Sequence, residues 1–150
     1  MSSIILQTTS NKNNLPDDIF DHNHDKFYEI IGRTYGVDLA NLISFQSIRN
    51  GEHLLEASSD DILLILGQES EDLNALKKMC CFQVVGNKYE VKLGVKLVLN
   101  KLIQALKTKQ EEQQNKNVVL LNVYLLYSSV LMPKHLPTKL KLKYRHQHHH

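Results

Sequence analysis

Tryptophan is absent from the 150-residue chain, and proline, glycine and cysteine are scarce at three, six and two residues. The two cysteines are neighbours, Cys80 and Cys81. They cannot staple a small secreted domain, and they lack the CxxC spacing of a zinc site. So little proline and glycine excludes a collagen or a proline- and glycine-rich low-complexity chain. The glycines stand at 32, 36, 51, 67, 86 and 94, each where a helix or turn needs punctuation, so no glycine-rich loop cradles a phosphate. A Gly-x-Ser-x-Gly elbow is also missing, which removes the simplest signature of a serine hydrolase. What remains is a chain with 42% apolar residues, sized for one domain of about 100–150 residues with ragged ends.

Charge becomes informative when it is followed along the chain. Residues 1–25 carry one Lys and four Asp, residues 26–116 balance twelve basic against twelve acidic groups, and residues 117–150 hold four Lys, one Arg and no acid. A balanced middle does not present the uniformly basic face of a dedicated DNA-binding module. The opening residues Met1 to Leu6 have no basic flank and only three consecutive apolar side chains, which is not the pattern of a secretory signal. An intracellular protein of cytoplasm or nucleus is expected.

Residues 10–18 are polar and aperiodic, and order is expected to begin near Asp25. Phe27, Ile30, Ile31 and Tyr35 then recur at helical spacing, with Asp25 as the expected cap and Gly36 as the stop. Asp38 can cap a second helix carrying Leu39, Leu42 and Ile43, and a short third surrounds Leu54 and Leu55. Ser58 and Asp61 have capping-box spacing ahead of Ile62-Leu63-Leu64-Ile65-Leu66. That run reads as a buried helix ending at Gly67, with a buried strand as its alternative. Glu69, Glu71 and Asp72 lead another helix through Leu73, Leu76 and Met79, with Lys77 and Lys78 in its last turn, the charge order the helix dipole favours. The period then changes to alternation, and Gly86-Asn87 predicts a two-residue turn between Phe82–Val85 and Lys88–Val91. Val95, Leu99, Leu102, Ile103 and Leu106 form the widest apolar stripe, expected to share one core with Leu54, Leu55, Ile62 and Leu66.

The expected fold is therefore mainly α: a compact bundle of about five to six short helices, a small β-hairpin near 82–93 and one long helix at 95–112. The organisation reads as a disordered acidic leader (1–25), a helical interaction domain (26–106), a polar helix extension or linker (107–117), an apolar segment (118–132) and a basic, His-rich tail (133–150).

Residues 35–67 resemble the sterile alpha motif, a small all-helical interaction domain. The matching positions are Tyr35, Leu39, Leu42, Ile48, Gly51, Leu54, Leu55, the Asp60-Asp61-Ile62 step, Leu66 and Gly67. The absent tryptophan and the expected hairpin depart from the family's pattern. The resemblance implies protein–protein association, in some members head-to-tail polymerisation and in a minority RNA binding.

Other residues bear chemistry. His22 and His24, flanked by Asp21 and Asp25, have a metal-ligating composition, yet in an irregular leader they read as solvated capping groups. Cys80 and Cys81, at a helix-to-strand boundary, read as one buried and one partly exposed structural side chain rather than as a reactive thiolate. His53 stands beside Glu52 and Glu56 without a nucleophile elbow, so no catalytic residue, metal or cofactor is assigned. His146, His148, His149 and His150 form a His-rich terminus or tag-like remnant.

Residues 118–132 run fifteen positions without a charge. That is short of the roughly 20 residues that span a bilayer, and the segment is expected to fold against the helical domain or a partner. A membrane-surface or tail-anchored element is the alternative. Beyond it, Lys139, Lys141, Lys143 and Arg145 alternate with apolar residues. They are candidate phosphate contacts should the chain be a nucleic-acid-associated accessory protein of mobile-element type. The leading expectation is a noncatalytic adaptor or self-association module, with a protein partner, nucleic acid second and membrane third.

Overall fold

A computed structural model describes residues 14–130. The chain divides into two units, residues 1–111 and 112–150. Six α-helices and one two-stranded antiparallel sheet make up the described fold: α1 (His24–Tyr35), α2 (Val37–Phe45), α3 (Gly51–Glu56), α4 (Ser59–Leu64), α5 (Asn74–Cys80), β1 (Cys81–Val84), β2 (Lys88–Val91) and α6 (Leu93–Val130). This is the mainly helical bundle with a hairpin and one long helix that the hydrophobic periods predict.

Local chemistry sets the helix ends. Asn23, not Asp25, caps α1 by accepting from the Lys26 N–H, while Asp25 sits in the first turn. Gly36, at φ +120°, ends α1 and starts α2, and its own N–H donates to Ile31 O. Asp38 does not cap α2 from outside; its carboxylate accepts from the adjacent Leu39 N–H. Asn50 caps α3 through the His53 N–H. Ser58 and Asp61 form a complete capping box at the start of α4, so the five-residue apolar run is helical, ending in a 3-10 turn over Ile65–Gly67. A second 3-10 turn, Glu71–Leu73, leads into α5.

The core gathers Phe27, Ile31, Leu39, Leu42, Ile43, Leu54, Ile62 and Leu66 with Leu99, Leu102 and Leu106 of α6. Ile103 belongs to it as well, and Leu55 packs against it partly buried. Burying one such side chain stabilises by about 1.5–3 kcal/mol before chain entropy is counted. An amphipathic stripe on α6 is thus what the short helices fold around.

Three expectations need correction. Order begins upstream of Asp25: Leu15 and Ile19 are buried in the core, held by a turn in which the Ile19 N–H donates to Pro16 O and the Asp21 N–H to Asp18 O. Polar neighbours masked two core residues there. The long helix does not end at 112 but continues to Val130. Residues 107–117 contain no Gly or Pro and are rich in Lys, Gln and Glu, which propagate a helix even without a buried face. The hairpin loop has three residues, not two: Val84 pairs with Lys88 and Cys81 with Val91. Gly86 and Asn87 both take positive φ, +90° and +57°, as the glycine–asparagine pair predicts, with Val85 as the third loop residue.

Candidate interaction surface

Each chemically suggestive residue has a defined setting. His22 Nε2 lies 3.1 Å from Asp18 Oδ1 and His24 Nε2 lies 3.4 Å from Asp25 Oδ1. The histidines thus engage separate carboxylates, and among the described residues no three His, Cys, Asp or Glu side chains converge on a metal position. His53 is exposed on α3. The candidate phosphate contacts Lys139, Lys141, Lys143 and Arg145, and the terminal histidines, lie outside the described residues.

Cys80 and Cys81 are both buried free thiols, which corrects the expectation that one would be partly exposed: the hairpin folds back over the end of α5. Burial, reinforced by the nearby Asp38 and Cys81, pushes the Cys80 thiol up to about 11. Its Sγ lies 3.8 Å from Asp38 O as a weak donor. Cys81 is also raised, again by burial, with Lys77 and Lys92 pulling the other way. Both shifts lower the thiolate fraction at neutral pH, opposite to what a nucleophile or metal ligand requires. Lys77 is buried, and its ammonium stands 5.3 Å from the Tyr89 ring centroid, a cation–π contact that ties α5 to β2.

The first unit also has an open groove of about 300 Å³ between α2 and the α5 region, lined by Asn41, Ser44, Phe45, Asp72, Leu76 and Met79. Its polar groups are few and carry no convergent chemistry.

Residues 118–130 differ from all of these. There α6 is uncharged for thirteen positions, and Val119, Leu120, Val123, Leu126, Tyr127 and Val130 are between 55% and 75% exposed. Within their own unit, among the described residues, these side chains are exposed. At 100° per residue these six side chains span an arc of about 120°, and the rest of the circumference is shared by Asn122, Ser128 and Ser129 with the apolar Val118, Leu121, Tyr124 and Leu125. Isolated exposed apolar residues are ordinary, whereas contiguous exposed apolar stretches are shared by protein contacts, membrane contacts and aggregation-prone surfaces. Among the described residues no helix is long and apolar enough to cross a membrane.

No family model, no curated protein and no solved structure matches the chain.

Periodicity located this surface in the sequence as an apolar run but could not tell whether it was covered. The signal that bears on it is the helix-forming composition of 107–117, which carries α6 past the last core residues.

Proposed function

We propose that the chain is a noncatalytic protein–protein interaction module, a helical domain that associates through the apolar face of residues 118–130. The observation that carries this reading is a thirteen-residue uncharged stretch of helix whose apolar side chains stand in solvent. Water contact over such a face is unfavourable by about 25 cal/mol per Å², and association relieves it. The resemblance of residues 35–67 to the sterile alpha motif points to the same class of function. The nucleic-acid reading rests on tail residues outside the described ones and has no comparable support.

Hydrogen exchange tests the reading. Amides of residues 118–130 should gain protection as the concentration of the intact protein rises, or on adding its partner, whereas amides of α1–α5 should not change. Exchange in 118–130 that is fast and insensitive to every addition would remove the reading.

A further inference from the structure

Lys77 is 6% exposed, yet among the described residues its ammonium reaches no carboxylate and no hydrogen-bond acceptor, and the group it faces is the Tyr89 ring. An ammonium has three protons to donate, and a ring face replaces only part of the water it gives up. Lys77 lines an open pocket of about 440 Å³ within residues 1–111, together with Glu69, Glu71, Asn74, Asn87 and Tyr89. We propose that this pocket binds a small free amino acid, its carboxylate on Lys77 and its amine on Glu69 or Glu71. The site is independent of how residues 118–130 associate.

Local structure brings the polar groups together. Asn74 and Lys77 stand one turn apart on α5 and so share a side of that helix. Tyr89 pairs with Gln83 across the hairpin, and Gln83 Nε2 donates to Asn87 Oδ1 at 3.0 Å. That bond engages the Asn87 oxygen and leaves its amide NH2 as a second donor lining the same pocket.

Charge selects the class of ligand. The pocket holds one ammonium and two carboxylates, and neither Glu69 nor Glu71 forms an ion pair with Lys77. A plain anion, a phosphate included, would meet Lys77 but also two charges of its own sign. A plain amine or metal cation would meet the glutamates but also the ammonium. A zwitterion leaves neither sign unmatched. Because Lys77 is buried and both glutamates are exposed, the carboxylate enters first and the amine stays at the mouth. The volume falls within the roughly 300–1,000 Å³ of small-molecule sites.

Nuclear magnetic resonance titration of the intact chain tests the proposal, with glycine, β-alanine and γ-aminobutyrate as probes and butyrate and butylamine as single-charge controls. At least one amino acid should shift the Asn74 and Asn87 side-chain amides to saturation and bind about tenfold tighter than either control. Lys77→Met keeps the stem beside Tyr89 and should weaken that binding about tenfold while circular dichroism keeps its helical signal. Glu69→Gln with Glu71→Gln alters only exposed side chains, so it carries the test even where Lys77→Met unfolds; it should bring the amino acid down to the affinity of butyrate. Butyrate binding the parent as tightly as every amino acid would overturn the zwitterion and leave an anion site on Lys77. Butylamine doing so would overturn the role of Lys77. Shifts that never saturate, or that persist unchanged in both variants, would overturn the site altogether, the ammonium then being served by water.

Discussion

The Lys109 ammonium lies 2.7 Å from Asp17 Oδ1, an ion pair between residues 92 apart in sequence. The two partners differ in setting: the Lys109 side chain is 10% exposed and that of Asp17 is 82% exposed. The contact therefore joins a sunken cation on α6 to a solvated carboxylate in the N-terminal turn that also buries Leu15 and Ile19. Removing the two partners should have unequal effects. Asp17→Asn takes a charged acceptor from an ammonium already withdrawn from water, and should cost about 1–2 kcal/mol. Lys109→Met removes the charge but keeps an unbranched stem in the same packing, and should stay within about 1 kcal/mol of the parent. Urea unfolding of both variants decides; a larger loss for Lys109→Met would place the contribution in other contacts of the ammonium rather than in its pair with Asp17.

How much of this was legible in the sequence depends on how local the deciding chemistry is. Ser58 and Asp61 announce their capping box because both partners sit within one turn, and the stripe from Val95 to Leu106 announces its burial because its apolar residues recur at helical spacing with Lys96, Lys101 and Lys107 off it. Leu15 and Ile19 were hidden because a single turn of chain has no period to detect. Asn23 outcompeted Asp25 as the cap of α1 because either residue type serves, and only the backbone geometry selects between them. The surface at 118–130 was legible as apolar and illegible as exposed: nothing within a helix states whether another element covers it.

The Cys80 thiol predicts a pH dependence. Its ordinary value lies near 9 and burial raises it to about 11 in the folded chain. Below about pH 9 the thiol is protonated in both folded and unfolded chains, so its contribution is fully present. Between about 9 and 11 the unfolded chain loses the proton while the folded chain keeps it, so stability falls as pH rises, by up to about 2 kcal/mol. Cys80→Ala should flatten that part of the profile relative to the parent, although its stability at neutral pH is lower because a buried sulfur is lost. Parallel denaturation curves at pH 8 and about pH 10.5 check this, the parent-minus-variant difference cancelling the lysine titrations common to both. Equal slopes would mean that the thiol ionises freely in the folded chain.

Leu102 is fully buried on α6 within the core shared with Leu54 and Ile62. Leu102→Ala should cost about 2–5 kcal/mol, the transfer term of the lost methyl groups plus the cavity left behind. Thermal unfolding followed by circular dichroism reads it. A loss under about 0.5 kcal/mol would mean that α6 stands apart from the short helices.

Gly86 takes φ +90°, and a Cβ built on it would have no atom within 4 Å. Any cost of Gly86→Ala is therefore one of backbone conformation rather than contact, about 1–2 kcal/mol. It should fall on the hairpin: faster exchange of the Cys81–Val84 and Lys88–Val91 amides, with α1–α4 unchanged. At Asn87, where φ is +57°, glycine reaches that region more readily but gives up the bond that Asn87 Oδ1 accepts from Gln83 Nε2 at 3.0 Å, so Asn87→Gly should cost less than Gly86→Ala.

Gly51 presents the opposite case, in which space rather than φ excludes a side chain. A Cβ there would stand 2.9 Å from Phe20 Cε1 and 3.1 Å from Leu106 Cδ2, so the N-terminal turn and α6 close over the first residue of α3. Alanine favours a helix over glycine by up to about 1 kcal/mol in mid-helix and by less at its first residue. Overpacking a closed site costs about 1–3 kcal/mol, and the second effect should win. Gly51→Ala is expected to destabilise by about 1 kcal/mol net, the Phe20 ring being the neighbour that must move. In a Phe20→Ala background the same change should lose most of its cost, since only the flexible end of Leu106 then remains in the way. A double-mutant cycle measures this as a coupling above about 0.5 kcal/mol. Strict additivity would mean that the N-terminal turn does not hold Phe20 over α3 in solution.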